Sequence, residues 1–288
     1  MPELPEVETI KNYLRKNIIG KEIVGFQNLN KKQIKIKEKD IVGEKILDLQ
    51  RRGKILILKL SNNKDVFVHL KMTGQLIYAK NKEILKSTRA VFELCELARM
   101  IDDTQMNANF IRDDWRNKNI RNHLHYLIFN DARKFGWIKL KAEEIKNLGI
   151  EPFSKEFNLK NLEKIFQKSK RPIKIVLMDQ TEIAGIGNIY ASESLFLAKI
   201  NPQKPANKLT KEEIKRLRNS ILKILKKALQ YEGTSSRFYI KPDQTKGRYQ
   251  EKFLVYQREG KKCFRCKSKI KRIVLGGRST FYCQICQK

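Results

Sequence analysis

The chain has 288 residues, 41% of them hydrophobic, enough to build one large or two modest packed domains. No apolar run approaches the roughly 20 residues that a bilayer helix requires. The N-terminal stretch carries acids where an export signal would be basic and then apolar, so no membrane role is expected and the protein is expected in the cytoplasm, nucleoid-associated and without a targeting signal. Sixty-two Lys and Arg against thirty-one Asp and Glu leave a formal charge of +31, more than solubility requires, and nucleic acid is the expected polyanionic partner.

The basic chain nevertheless opens MPELPEVETI, with Glu3, Glu6 and Glu8 directly behind a Met-Pro start. Glu6 and Glu8 suit the positive N-terminal end of a first helix. Next come short β-branched runs separated by turn residues: KILILKL (54–60), DVFVHLKM (65–72), LHYLIFN (124–130) and KFGWIKL (134–140). They predict an antiparallel β-sandwich or barrel over 1–150. The stretch 80–122 interrupts this pattern. Its segment STRAVFELCELARMIDD puts Val91, Leu94, Leu97, Ala98 and Ile101 at helical spacing, which predicts an inserted helical element, and Cys95 within it reads as a small core residue.

From about Pro152 the period becomes helical, through NLKNLEKIFQ, IKIVLMDQ and LTKEEIKRLRNSILKILKKALQYEG. The last has a capping box, Thr210 with Glu213, and Gly233 as its stop. Between them AGIGNIYASE (184–193) offers a glycine turn followed by a helix start at Asn188, where free backbone N–H groups suit a phosphate. The chain closes on Cys263-x-x-Cys266 and Cys283-x-x-Cys286, separated by a run that alternates around Gly276-Gly277 as a hairpin would. Two CxxC turns at this spacing predict one structural zinc ion held by all four thiolates; two disulfides would need an oxidising compartment. The predicted organisation is therefore α+β: a β domain over 1–150, a helical domain over 151–233, and a C-terminal region over 234–288 ending in the zinc hairpin 258–288.

Six segments in order, MPELPEVETI, RRGK (51–54), HLKMTG (69–74), NDARKFGW (130–137), LMDQTEIAGIGNIYASE (177–193) and the cysteine hairpin, together resemble the formamidopyrimidine-DNA glycosylases and their endonuclease VIII-like relatives. The resemblance implies an N-terminal antiparallel β-sandwich, a helical domain with a helix–two-turn–helix motif, and a β-hairpin zinc finger whose single Zn2+ is structural. It implies a bifunctional DNA glycosylase/AP lyase of base-excision repair, acting as a monomer on double-stranded DNA that contains oxidised bases or abasic sites. Once Met1 is removed, the secondary amine of Pro2 would attack C1′ of the damaged nucleotide, and β- and δ-elimination would follow. Glu3 would protonate the ring oxygen; Lys54 completes the catalytic set and Glu6 supports it. Lys54, His69, Asn188 and Arg278 match the clamp on phosphates flanking the lesion. Met72, Arg133 and Phe135 match the side chains that fill the gap left by the extruded base, Arg133 facing the orphaned partner. Leu4 and the complete Met72, Arg133, Phe135 set resemble the formamidopyrimidine branch, which favours 8-oxoguanine and formamidopyrimidines over oxidised pyrimidines. The segment TSSRFYIKPDQTKGRYQ (234–250) resembles the family's loop over the flipped base, with Phe238 where an acid is common. A non-catalytic damage-binding homologue and a zinc-ribbon protein of the translation machinery are the competing readings.

Overall fold

The structure, a computed structural model, describes residues 1–96, 123–235 and 238–288. These divide into two compact units. Unit 1 comprises Met1–Pro2, Glu6–Ala142 and Ser235–Gly247; unit 2 comprises Glu3–Pro5, Glu143–Thr234 and Arg248–Lys288. No helix among the described residues is long and apolar enough to cross a membrane.

Unit 1 is built on two sheets. One orders β1 (Glu22–Asn28), β7 (Thr88–Cys95), β8 (His125–Asp131) and β6 (Gly74–Ala79), with neighbours antiparallel. The other orders β2 (Ile34–Lys35), β9 (Trp137–Lys139), β5 (Asp65–His69), β4 (Ile55–Leu60) and β3 (Ile46–Arg52), antiparallel except for the short β2–β9 pair. The two-residue period of these strands puts Leu56, Leu58, Val66 and Val68 of one sheet into the same core as Phe92, Leu94, Leu127 and Phe129 of the other. Helix α1 (Leu4–Ile18) adds Val7, Ile10, Leu14 and Ile18, a stripe at helical spacing.

The helical expectation for the 80–122 stretch is corrected where it can be read, because Thr88–Cys95 is strand β7 with every residue buried. Both of its faces are covered: Phe92 and Leu94 lie in the main core, while Val91 packs with Ile77, Ile128 and Ile240. A strand buried on both faces loses the alternation that would distinguish it from a helix, and Val91 and Leu94 then fall at a misleading spacing of three. Leu97, Ala98 and Ile101 lie outside the described residues.

Unit 2 gathers α2 (Leu159–Gln167), α3 (Ile173–Met178), α4 (Asn188–Ala198) and α5 (Lys211–Gln230) around one core. The expected capping box opens α5: Thr210 Oγ1 accepts from the Glu213 N–H (3.2 Å) and Glu213 Oε2 from the Thr210 N–H (2.9 Å). Gly233, at φ +80°, follows its end. Between α3 and α4 the chain makes a turn at 180–182 and a bend at 184–185, a connection of the kind a helix–two-turn–helix motif uses. Strands β10 (Lys271–Leu275) and β11 (Arg278–Tyr282) form the expected hairpin, with Gly276 and Gly277 both at positive φ as a two-residue turn demands. Glu193 of α4 anchors the approach to it: the fully buried carboxylate accepts from the N–H groups of Leu254, Val255 and Tyr256 at 2.8–2.9 Å.

Candidate active site

Helix α4 begins after Gly187, which has no side chain to cap it, and the cap comes from the start of the chain instead. The Glu3 carboxylate, 3% exposed, accepts from the N–H groups of Gly187 (2.8 Å), Ile189 (3.0 Å) and Tyr190 (3.4 Å). It thus satisfies donors that the first helical turn leaves open and sits at the positive end of the helix dipole. Position 187 must be glycine for this, since a Cβ there would collide with the Glu3 carboxyl carbon. The Leu4 N–H donates to Gly185 O (2.9 Å), where φ is +98°, so backbone bonding fixes the same segment. The glycines of AGIGN therefore form the seat of Glu3. Pro2, immediately before it, is buried and Met1 exposed.

Asn188, the first residue of α4, is held on both sides. Its Nδ2 donates to Ser279 O (3.0 Å) in β11, next to Arg278, and its Oδ1 accepts from Lys174 Nζ (2.6 Å). Lys174 also donates to Thr280 Oγ1 (2.7 Å) and Ser279 O (3.3 Å), joining α3, α4 and the hairpin at one ammonium. The side chain is 0% exposed, and burial pushes its pKa down to about 7 against the opposing pull of the Glu3 carboxylate. Sequence reasoning missed this residue; its only signal was one charged residue inside the apolar run IKIVLM. Arg278 itself is exposed, at the hairpin turn. Unit 2 thus brings Glu3, Asn188 and Arg278 of the expected site together with Lys174.

Unit 1 carries the remainder. Lys54 follows Gly53 (φ +57°) in the β3–β4 turn and is buried, in contrast to an ordinary turn lysine. Across the β4–β5 pair Ile55 faces His69, whose Nδ1 accepts from the Lys71 N–H (2.9 Å). That bond leaves Nε2 as the protonated nitrogen of a neutral ring. Burial first, then the charges of Lys71, Lys54 and Lys139, push the His69 pKa down to about 3. His69 is therefore a neutral hydrogen-bond donor at ordinary pH. Met72 lies half-buried in the following turn, Arg133 is exposed, and Phe135 is 53% exposed with the Arg133 guanidinium 5.0 Å from its ring centroid. An aromatic at that exposure is not a core residue. Glu6 stands buried in the first turn of α1. Glu8, half-buried, bonds Arg51 Nε (2.7 Å) and Lys11 Nζ (2.5 Å); burial raises its pKa but those bonds outweigh it, so the carboxyl stays below its ordinary value. Its role is to tie α1 to β3. The loop after α5 is pinned to β6, with Gln75 Nε2 donating to Phe238 O (2.6 Å), the Tyr78 N–H to Pro242 O (2.9 Å), and Tyr239 in the core, while the Phe238 ring is exposed.

The four hairpin thiols lie within 4.8 Å of one another, with Cys263–Cys286 and Cys266–Cys283 sulfurs 3.9 and 3.4 Å apart. Four sulfurs about 2.3 Å from a tetrahedral zinc would stand roughly 3.8 Å apart, so the set fits one Zn2+ closed to substrate. No disulfide links them.

The comparisons with known proteins agree with this architecture. Residues 1–138 match the formamidopyrimidine-DNA glycosylase N-terminal domain, 148–240 the formamidopyrimidine-DNA glycosylase H2TH domain, and 260–288 the zinc finger found in FPG and IleRS. Formamidopyrimidine-DNA glycosylases of Rickettsia africae and Pelotomaculum thermopropionicum are each 38% identical to the chain, covering 100% of it and 99% of their own length. Among solved structures, a Lactococcus lactis FPG mutant in complex with Fapy-dG-containing DNA superposes with a TM-score of 0.84 at 31% identity over 100% of both chains. The FPG protein of Thermus thermophilus gives 0.83 at 32% identity, covering 99% of this chain and 98% of its own. The chain belongs to the formamidopyrimidine-DNA glycosylase family, the DNA glycosylases with associated AP lyase activity of base-excision repair.

Proposed function

We propose that the protein excises oxidised purines, 8-oxoguanine and formamidopyrimidines paired with cytosine, from double-stranded DNA and cleaves the strand at the resulting site. With Met1 removed, the Pro2 nitrogen attacks C1′ as the bond from C1′ to the base breaks. The Glu3 carboxylate takes the proton that the Pro2 nitrogen loses on attack and returns it to O4′ as the C1′–O4′ bond breaks, which opens the sugar and leaves an iminium between Pro2 and C1′. That cation acidifies the C2′ hydrogen; its loss expels the 3′ phosphate by β-elimination, and a second elimination expels the 5′ phosphate. Lys54, His69, Asn188 and Arg278 bind phosphates flanking the lesion, with Arg278 forming a charge-assisted contact and His69 a neutral one. Lys174 positions Asn188 for its phosphate, and Glu6 supports the N-terminal segment. Met72, Arg133 and Phe135 fill the gap left by the extruded nucleotide. The protein works as a monomer, in the cytoplasm on the nucleoid.

The observation that carries the reading is the Glu3 carboxylate seated on the N-terminus of α4 by three N–H groups, which caps the helix and at the same time fixes the segment that bears Pro2. A single-turnover nicking series tests it, with duplexes carrying 8-oxoguanine opposite cytosine, 8-oxoguanine opposite adenine, and an oxidised pyrimidine. The cytosine-paired 8-oxoguanine duplex is expected to be cut fastest. Preference for the oxidised pyrimidine would move the protein to the endonuclease VIII type of substrate, and an intact set of duplexes would contradict the enzymatic reading.

A further inference from the structure

Two connections in unit 1 pass from one sheet to the other side by side. The turn over 70–73 carries Met72 from β5 to β6, and the turn over 132–136 carries Arg133 and Phe135 from β8 to β9. On either side of them the strands pair, His69 with Trp137 in one sheet and Gly74 with Asp131 in the other. Each turn contains a non-glycine residue in the left-handed region, Lys71 at φ +49° and Lys134 at φ +59°. Such a residue is strained unless its surroundings hold it.

One buried carboxylate does the holding. Asp131, 0% exposed, accepts from the Gly136 N–H (2.7 Å) and from Gln33 Nε2 (2.9 Å) through Oδ2, and from the Thr73 hydroxyl through Oδ1. Thr73 Oγ1 in turn accepts from the Arg133 N–H (3.1 Å), which closes a bridge from the first turn to the second. Gln33 Nε2 donates again to Gly136 O (2.8 Å), and the Arg89 guanidinium grips Asp131 O (3.0 Å). Asp131, Gln33, Thr73 and Arg89 are all buried, whereas the tips that the two turns present are half-buried at Met72 and exposed at Arg133 and Phe135. A buried, hydrogen-bonded polar base centred on Asp131, beneath projecting side chains, is the construction of a pre-organised probe, since buried networks of this kind fix a geometry rather than supply bulk stability.

We propose that Asp131 and Thr73 are positioning residues that lock the two turns into one unit, so that Met72, Arg133 and Phe135 enter the duplex together and Arg133 reads the base opposite the lesion. The inference rests on the function proposed above and deepens it. Misplacement of Arg133 by about 1 Å weakens discrimination between opposite bases and slows extrusion, while chemistry on a sugar that has already lost its base proceeds without the probe.

The test compares Thr73→Val, which keeps the shape and removes the hydroxyl, with Thr73→Ser, which keeps the hydroxyl. For Thr73→Val, single-turnover excision of 8-oxoguanine opposite cytosine is expected to fall by about tenfold or more, and the cytosine-over-adenine ratio by about fivefold, from the loss of pre-organisation. Cleavage of a preformed abasic site, and its borohydride cross-link, should stay within about twofold of wild type, and Thr73→Ser should behave as wild type in every assay. An unchanged cytosine-over-adenine ratio in Thr73→Val, or an equal fall in excision and abasic-site cleavage, would overturn the proposal by reducing Thr73 to a structural residue. Failure of the wild-type protein to cross-link to either substrate would instead contradict the proposed function, so the two failures are distinct.

Discussion

At the residue scale, protonation states set how the proposed phosphate-clamp residues can act. His69 binds a proton with a pKa of about 3 in the fold and about 6.5 in the unfolded chain, so the unfolded state takes up the proton first as pH falls. Its contribution to stability is complete above about pH 6.5 and is lost toward pH 3, at up to about 1.4 kcal/mol per pH unit. Urea unfolding between pH 5 and 6.5 should therefore show a shallower pH dependence for His69→Gln than for wild type; equal slopes would mean that the ring is charged. Lys174 is the opposite lesson in legibility. Pro2, Glu3 and Asn188 could be singled out as candidates because they stand in short motifs whose chemistry is particular. Lys174 is one basic residue among sixty-two, and only the fold reveals that its ammonium faces Asn188, Ser279 and Thr280 rather than water. Phe135 illustrates a third case: its residue type suggests core, and its 53% exposure appears only once the β8–β9 turn is built.

At the element scale, the elements with strong local signals were readable: the capping box of α5, the apolar run of β4, the alternating strand β5, and the Gly-Gly hairpin. Strand β7 was not, because what buries its outer face is Ile240, about 150 residues away, and no local period encodes that contact. The zinc hairpin depends on its metal for a related reason. Its own apolar cluster is small, Phe196, Val255, Cys263, Ile270, Phe281 and Cys283, too little to order the segment without a staple. Stripping zinc with a chelator should expose 258–288 to limited proteolysis and abolish nicking, while the β-sandwich remains resistant; retained nicking by metal-free protein would contradict a structural zinc. Glu193 makes the same point on the approach to the hairpin. Replacing it with Leu leaves the buried Val255 N–H without an acceptor, at about 1–3 kcal/mol, and the part-buried N–H groups of Leu254 and Tyr256 without theirs, so a clear fall in the melting temperature is expected.

At the scale of the whole molecule, a charge of +31 means that affinity for DNA is dominated by displaced counterions and falls steeply with salt. Against that background Arg278→Ala should lower the slope of log K against log salt by about one unit, with little change in lesion preference, if the guanidinium neutralises a single phosphate. Composition made a polyanionic partner legible without specifying any chemistry. The proposed chemistry rests on the N-terminal Pro2–Glu3 pair, and the acid is anomalous in so basic a chain until Glu3 is seen on the end of α4. The most direct test is therefore borohydride trapping on a duplex with one 8-oxoguanine opposite cytosine, followed by mass spectrometry of the cross-linked peptide from protein whose Met1 is absent. The account predicts a single conjugate on the Pro2 nitrogen; a conjugate on a lysine, or none on this or an abasic-site duplex, would contradict it.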